Sequence, residues 1–285
     1  MIIGAKGMLG GELVRLFGAD QANQVFAWDV EDIDITDESQ VARKIGELSP
    51  EIIINAAAYN AVDKAEEPGE FELAKKINGF GPGFLARAAK KADAVFVHYS
   101  TDYVFDGQKE AGYKEDDQPS PISNYGFSKL LGEQEVQKEG GRFYIVRLQK
   151  LFGRPGGSPA AKKSFFETML GLAEQKEELD LVDEELANFT FAPDLAEQTK
   201  FLIESENPAG IYHIINEGRP VTWYGAARIL FELAGKKIKL NPVGADKFPR
   251  PAKRPRFSVL LNTKLPPLRS WDEALKEFLK ATQIH

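Results

Sequence analysis

The stretch from Ala94 to Gly107 reads AVFVHYSTDYVFDG and decides the fold. It begins with an apolar run, residues 94–97, that predicts a buried β-strand. The run leads into two hydroxyl side chains, Ser100 and Thr101. In open α/β sheets, ligands bind in the crevice at the carboxyl ends of the strands. We therefore expect Ser100 and Thr101 to lie at a ligand site.

A second motif, YGFSK, runs from Tyr125 to Lys129. Its phenol and its ammonium are four residues apart, a spacing that places both on one face of a helix. A nearby ammonium favours the phenolate, so we expect Lys129 to lower the pKa of Tyr125. Such a tyrosine can donate a proton to a ketone oxygen while a hydride reaches the carbon. A surface aromatic beside a solvated lysine has the same spacing, so this interpretation depends on the rest of the chain.

The chain begins with a short apolar run, a glycine-rich turn and a helical pattern. Residues 1–3 predict a strand, residues 4–10 read GAKGMLG, and a helix is expected through Phe17. Glycines let the backbone approach a pyrophosphate closely, and a helix N-terminus stabilises its charge. Strand, glycines and helix in this order predict a dinucleotide site. The strand is shorter than a central strand usually is.

Asp29 ends the expected second strand, residues 25–28. It lies about twenty residues after the glycines, where an acidic residue bonds the adenosine ribose hydroxyls. That position disfavours a 2′-phosphate, whereas the charge of Lys6 favours one, so both NAD and NADP stay open. A turn cap is an equally good interpretation of Asp29.

Alternating strand and helix patterns predict the fold class. Residues 51–55 form a β-branched run typical of a buried parallel strand, and the small Ala56–Ala58 run suits either a dinucleotide contact or tight helix packing. We predict an α/β fold with a doubly wound parallel sheet of the Rossmann type. The dinucleotide-binding domain is expected at residues 1–148, with additions to the sheet from about 192–216. A smaller substrate-binding domain is expected at residues 149–191 and 217–285.

The composition excludes several classes of protein. The net charge of −7 provides no basic stripe for nucleic acid. No apolar run approaches the ~20 residues of a membrane span. Cysteine is absent, which excludes disulfides and thiolate chemistry and fits the cytoplasmic location that we predict. The three histidines, His98, His213 and His285, lack a second ligand at metal spacing, so no metal site is predicted and core packing is expected for the first two.

Longer strings accompany the two motifs. They are GMLG at residues 7–10, DITD at 34–37, NAAAY at 55–59, AVDKAE at 61–66 and STDYVFDG at 100–107. Together they resemble the extended short-chain dehydrogenase/reductase family and, within it, the dTDP-4-dehydrorhamnose reductases. The similarity is dense up to about Leu148 and thinner afterwards.

The resemblance implies an NADPH- or NADH-dependent reduction of the 4-keto group of a nucleotide-linked 4-keto-6-deoxyhexose. Tyr125 is implied to be the proton donor, and Lys129 to hold the nicotinamide ribose. Thr101 is implied to bond the substrate oxygen, with Ser100 as a lesser helper. Asn78 resembles the family's helix asparagine, which helps to position the catalytic lysine.

The resemblance also implies contacts to both ligands. The implied cofactor contacts, besides Tyr125 and Lys129, are Gly4, Lys6, Gly7, Met8, Leu9, Gly10, Asp29, Asp34, Ile35, Ala57, Ala58, Tyr59 and Tyr99. The implied substrate contacts are Asp102, Val104, Lys150 and Arg254. Some members use Mg²⁺ at a dimer contact, but no carboxylate cluster in this sequence demands it. A monomer and a homodimer both stay open.

The chain departs from the family pattern after the fifth strand. Residues 147–150 read RLQK where the family usually has RTSW, and residues 183–190 also differ. Another nucleotide-sugar reductase, or an epimerase, therefore stays open. A dehydratase is disfavoured, because Thr101 is followed by Asp-Tyr instead of the Asp-Glu that elimination uses. A non-catalytic NADP-binding regulatory subunit, similar to the methionine adenosyltransferase β subunit, is the alternative from another class.

Overall fold

A computed structural model describes residues 1–158 and 161–282, so His285 lies outside the described residues. The strands are β1 (Ile2–Ile3), β2 (Ala27–Trp28), β3 (Ile52–Asn55), β4 (Val95–Thr101), β5 (Phe143–Leu148), β6 (Leu151–Phe152), β7 (Glu178–Val182), β8 (Thr190–Phe191), β9 (Gly210–His213) and β10 (Lys239–Val243). The helices are α1 (Met8–Gly18), α2 (Glu38–Leu48), α3 (Pro68–Ala74), α4 (Gly81–Lys91), α5 (Asn124–Glu139), α6 (Phe165–Leu172), α7 (Ala192–Glu204), α8 (Trp223–Leu233) and α9 (Trp271–Thr282).

A six-stranded parallel sheet carries the fold, in the order β2-β1-β3-β4-β5-β9. Neighbouring side chains on each strand point to opposite faces. Ile53 packs in the core on one face, and Ile54 packs in the core on the other. Both faces are therefore buried, as expected for a doubly wound sheet. The fold class predicted from the sequence is confirmed, including the late strand β9.

The short first strand, expected at residues 1–3, is Ile2–Ile3 in the structure, and it is central because it pairs with both β2 and β3. A π-helical turn, Lys75–Phe80, lies between α3 and α4. Helix α5 packs closely on this turn: a Cβ on Gly132 would lie 2.1 Å from the Asn78 carbonyl oxygen. The missing side chain of Gly79 makes room for Leu131, whose Cδ2 would lie 2.6 Å from an added Cβ. These glycines let the π turn bring Asn78 to the site.

A second hydrophobic core lies beyond the main sheet. Helices α6, α8 and α9 bury Phe152, Phe166 and Trp271 together with the two-stranded pairs β7–β10 and β6–β8. We propose that this part is the substrate-binding domain expected from the sequence. Among the described residues, no helix is both long enough and apolar enough to cross a membrane.

His98 and His213 pack in the interior, as expected. Both are fully buried. The Nδ1 atom of His98 lies 3.2 Å from the Asn55 amide nitrogen, and that of His213 lies 3.0 Å from the Leu261 carbonyl oxygen. In the described part of the chain, no group of three or more His, Asp or Glu side chains could hold a metal ion.

Candidate active site

A cleft of about 1030 Å³ opens at the carboxyl ends of the parallel strands. Its size is at the upper end for small-molecule sites, so a dinucleotide and a second ligand can both fit. The lining residues that were predicted as site residues are Gly4, Gly7, Met8, Leu9, Gly10, Asp29, Asp34, Ile35, Ala57, Ala58, Tyr59, Tyr99, Ser100, Thr101, Asp102, Tyr125, Lys129 and Lys150. The predicted motifs therefore converge on one cavity.

The glycine loop forms one end of the cleft. Gly4 has φ +79°, and a Cβ on it would lie 2.6 Å from the Ala57 nitrogen. A Cβ on Gly10 would lie 2.0 Å from the Gly4 oxygen. Helix α1 starts directly after Gly7, with neither a side-chain cap nor an acidic first-turn residue among the described residues. Its first N–H groups have no acceptor within the helix, so the loop fits a pyrophosphate.

Asp29 holds the glycine loop against the end of β2. Its carboxylate accepts hydrogen bonds from the backbone N–H groups of Lys6 and Val30, both at 2.9 Å. The turn-cap interpretation is thus confirmed, and the ribose contact stays a prediction. The Lys6 ammonium does not line the cleft and pairs with Glu31 at 2.8 Å.

The wall of the cleft at Asp34 and Ile35 has fixed backbone geometry. The Asp34 carboxylate accepts from both the backbone N–H and the hydroxyl of Thr36, at 2.9 and 2.7 Å. Ile35 is buried.

The Asn78 side chain accepts from the Tyr59 N–H at 2.8 Å and donates to the Tyr59 carbonyl at 2.9 Å. It also donates to the Ser128 hydroxyl on α5, and so ties this wall to the helix that carries Lys129.

Tyr125 and Lys129 project from the first turns of α5 into the cleft. Ser123 caps the helix by accepting from the Gly126 N–H at 3.2 Å. The Lys129 ammonium donates to the Tyr99 carbonyl oxygen at 2.6 Å. The Thr101 hydroxyl, at the end of β4, lines the same wall of the cleft as the Tyr125 phenol and lowers its pKa. The Asn60 side-chain oxygen lies 3.5 Å from the same phenol. The end of β4 and the start of α5 thus place two hydroxyls and an ammonium together.

Burial controls the charge of these groups. Desolvation and then the Asp102 carboxylate raise the pKa of Tyr125, and the nearby Thr101 hydroxyl offsets only part of that rise. The expectation that Lys129 lowers the pKa of Tyr125 is not met in this structure. A raised pKa keeps the phenol protonated at neutral pH, which suits a proton donor. Burial lowers the pKa of Lys129 to about 8, against the opposing effect of Glu133.

Ser100 belongs to a buried polar network behind the cleft. Its hydroxyl donates to Glu133 at 2.6 Å. Glu133 also accepts two bonds from Arg147, at 2.8 and 2.7 Å, and both charged side chains are 1% exposed. The sequence interpretation missed this ion pair, because only the fold brings α5 and β5 together. These contacts favour a supporting role for Ser100, and its catalytic role stays a prediction.

Asp102 and Lys150 form the inner wall next to Thr101. Asp102 is buried and accepts from the Thr101 hydroxyl at 3.0 Å, and desolvation raises its pKa. Lys150 has φ +33°, and its ammonium lies 3.8 Å from the centre of the Trp223 ring. It also donates to the Glu185 carbonyl at 3.3 Å. Burial lowers the pKa of Lys150 to about 8, while Asp102 and Glu185 oppose this change.

Besides Lys6, two predicted contacts do not line the cleft, and a third, Tyr99, lines it in an unexpected way. Val104 is fully buried in a cluster with Phe105 and does not line the cleft, so its side chain cannot reach a ligand there. The Arg254 fork also lies outside the lining and is engaged by Asp63, at 2.5 and 2.6 Å. Tyr99 turns its hydroxyl into the core. It supports the site through the carbonyl that binds Lys129.

The sequence interpretation also missed part of the wall contributed by the second half of the chain. Trp223, Glu185 and Ser258 line the cleft. The Trp223 indole donates to Glu185 at 2.8 Å. Gln149, at the end of β5, donates to the Ser258 carbonyl at 2.6 Å and accepts from the Leu260 N–H at 3.1 Å. A tryptophan at a helix start and a glutamine after a strand are weak signals without the fold.

Comparison with known proteins agrees with this geometry. Residues 1–284 match the family model described as the RmlD substrate binding domain. The chain belongs to this family. A dTDP-4-dehydrorhamnose reductase from Burkholderia thailandensis is 36% identical over 93% of this chain and 91% of its own length.

Two solved structures extend the likeness to three dimensions. A dTDP-4-dehydrorhamnose reductase from Clostridium acetobutylicum is 38% identical, covers 99% of both chains and has a TM-score of 0.92. The enzyme of the same name from Bacillus anthracis, solved in complex with NADP, is 34% identical, covers 98% of both chains and has a TM-score of 0.91. The RmlD family match thus spans both the cofactor half and the second half of this chain.

Proposed function

We propose that this RmlD-family chain is a dTDP-4-dehydrorhamnose reductase. It reduces the 4-keto group of the nucleotide-linked sugar with NADPH or NADH. The observation that carries the proposal is the convergence of Thr101, Tyr125 and Lys129 on the wall of one cleft, which the glycine loop also lines. The relatives that bear this name support the reductase over a non-catalytic regulatory subunit.

The chain's own groups fit the cofactor. The glycine loop and the first N–H groups of α1 would hold the pyrophosphate. The Lys129 ammonium has three donors, and within the described residues it uses one, on the Tyr99 carbonyl. The others would hold the nicotinamide ribose. A reduced nicotinamide bound in this position supplies a hydride to the keto carbon.

Tyr125 supplies the proton that balances the hydride. Its phenol is protonated at neutral pH because burial raises its pKa, and the Thr101 hydroxyl lines the same wall, so both groups can donate to one carbonyl oxygen. The carbon gains the hydride, the oxygen gains the Tyr125 proton, and the ketone becomes a secondary alcohol. The Thr101 hydroxyl, which lowers the pKa of Tyr125, helps to stabilise the phenolate that remains.

The sugar is proposed to contact the inner wall. Asp102 and Lys150 offer an acceptor and a donor beside Thr101, and Trp223 offers an aromatic face. Arg254 is proposed to act indirectly, by fixing the residue 250–256 segment through Asp63. The predicted cytoplasmic location and the choice between monomer and homodimer stay predictions.

Replacement of the proton donor tests the proposal. Tyr125→Phe removes the phenolic proton and should lower turnover of dTDP-4-dehydrorhamnose by about 10²-fold or more while NADPH still binds. Tyr144→Phe is the matched control, because that hydroxyl bonds the Asn207 carbonyl outside the cleft. NADPH consumption and a binding titration are the measurements. Unchanged turnover in Tyr125→Phe refutes its role, and cofactor binding without any reduction by the wild type supports the regulatory-subunit alternative.

A further inference from the structure

An exposed ion pair borders the cofactor end of the cleft. The Lys6 ammonium, at the tip of the glycine loop, donates to the Glu31 carboxylate at 2.8 Å. The side chains are 50% and 61% exposed. Glu31 follows β2, so the pair joins the loop to the strand end. Because neither side chain is needed for packing, both can respond to a ligand.

The geometry brings this pair next to the expected ribose position. Asp29 and Val30 line the cleft immediately before Glu31. Asp29 accepts from the Lys6 backbone N–H at 2.9 Å, which fixes the loop against the strand end. In a doubly wound sheet the adenosine ribose lies at this point. A 2′-phosphate on that ribose is the only difference between NADPH and NADH.

The charges here are unfavourable for a phosphate. The hydrogen bond that Lys6 donates to Glu31 raises the pKa of Lys6, and the negative charges of Glu31, Asp29 and Asp32 add to this effect. Asp32 is held nearby, because it accepts from the Asp29 N–H at 2.9 Å. A 2′-phosphate would approach several negative charges, while the ammonium that could bind it is already neutralised by Glu31.

We infer that Glu31 sets the cofactor preference of this chain by holding Lys6 away from a 2′-phosphate, so that NADH binds more tightly than NADPH. The inference rests on the proposed function, which places a nicotinamide dinucleotide in this cleft. Glu31 is a specificity residue and takes no part in the transfer of hydride or proton.

The test measures the dissociation constants of the purified protein for NADH and NADPH by quenching of its tryptophan fluorescence. The wild type should bind NADH more tightly. Glu31→Gln removes the charge and frees Lys6, so it should tighten NADPH binding relative to NADH by about fivefold. Glu31→Gln combined with Lys6→Met should lose this gain. Glu47→Gln, which removes the acid of an exposed pair with Arg43 on α2, should leave the ratio unchanged.

Two results overturn the inference: a wild type that prefers NADPH, or a Glu31→Gln variant whose NADPH to NADH ratio is unchanged. Failure of the proposed function looks different. If the dinucleotides bind with the expected preference and no keto sugar is reduced, the inference is supported and the reductase proposal is refuted. If neither dinucleotide binds, the inferred cofactor preference and the reductase proposal are both refuted.

Discussion

Replacing Lys129 by Met should stabilise the protein in the absence of ligands, although it removes a proposed catalytic group. Lys129 is 3% exposed, and burial lowers its pKa from 10.5 to about 8. At about 1.4 kcal/mol per pH unit, this shift costs the folded state about 3 kcal/mol at neutral pH. Loss of the hydrogen bond to the Tyr99 carbonyl offsets about 1 kcal/mol of the gain. The net expectation is about 2 kcal/mol, or a Tm increase of about 4–8 °C.

The pH dependence identifies the cause. Below about pH 8 the folded protein carries a charged, buried Lys129, and the cost is fully present. Between about pH 8 and 10.5 the folded lysine is neutral, whereas the unfolded chain still binds the proton, so wild-type stability rises relative to the variant. Urea unfolding of both proteins at about pH 7 and about pH 10 measures the difference.

The control for this experiment is Lys91→Met, which changes an exposed lysine at the end of α4. It should show no comparable gain at neutral pH. A Lys129→Met variant that is less stable than the wild type at neutral pH, with a difference that does not change toward alkaline pH, contradicts the argument from burial.

Two further predictions concern the framework of the site. Arg147→Met leaves the Glu133 carboxylate buried without its bidentate partner and should cost about 3–5 kcal/mol in urea unfolding. Adding Glu133→Leu should recover much of that loss, and a double variant as unstable as Arg147→Met would contradict this account. Gly10→Ala places a methyl group 2.0 Å from the Gly4 oxygen, so it should distort the loop and weaken NADH and NADPH binding together. Gly18→Ala, where an added Cβ meets nothing within 4 Å, is the matched control in the same titration.

The sequence predicted those parts of the site that depend on local pattern. The glycine loop follows from the need for a tight turn, and the end of β4 follows from an apolar run that changes to hydroxyls at Ser100. Both lie on the cleft. The pairing of Tyr125 with Lys129 needs only helical spacing, and the structure places both on the wall of the same cavity.

Long-range packing decided what the sequence could not predict. Val104 belongs to the STDYVFDG motif, but its side chain packs in the core. Together with Phe105 and Leu260 it forms a separate hydrophobic cluster. No ion-pair partner of Arg254 is evident in the sequence, because only the fold brings Asp63 next to it. The pKa of Tyr125 depended on burial, which spacing alone does not reveal.

The Gln149 side chain has a consequence for how this family can diversify. One amide at the end of β5 bonds the main chain at Ser258 and at Leu260, more than a hundred residues downstream. The segment around Ser258, which lines the cleft, is therefore attached directly to the end of a central strand. A relative with another residue at this position needs a different anchor for the same segment.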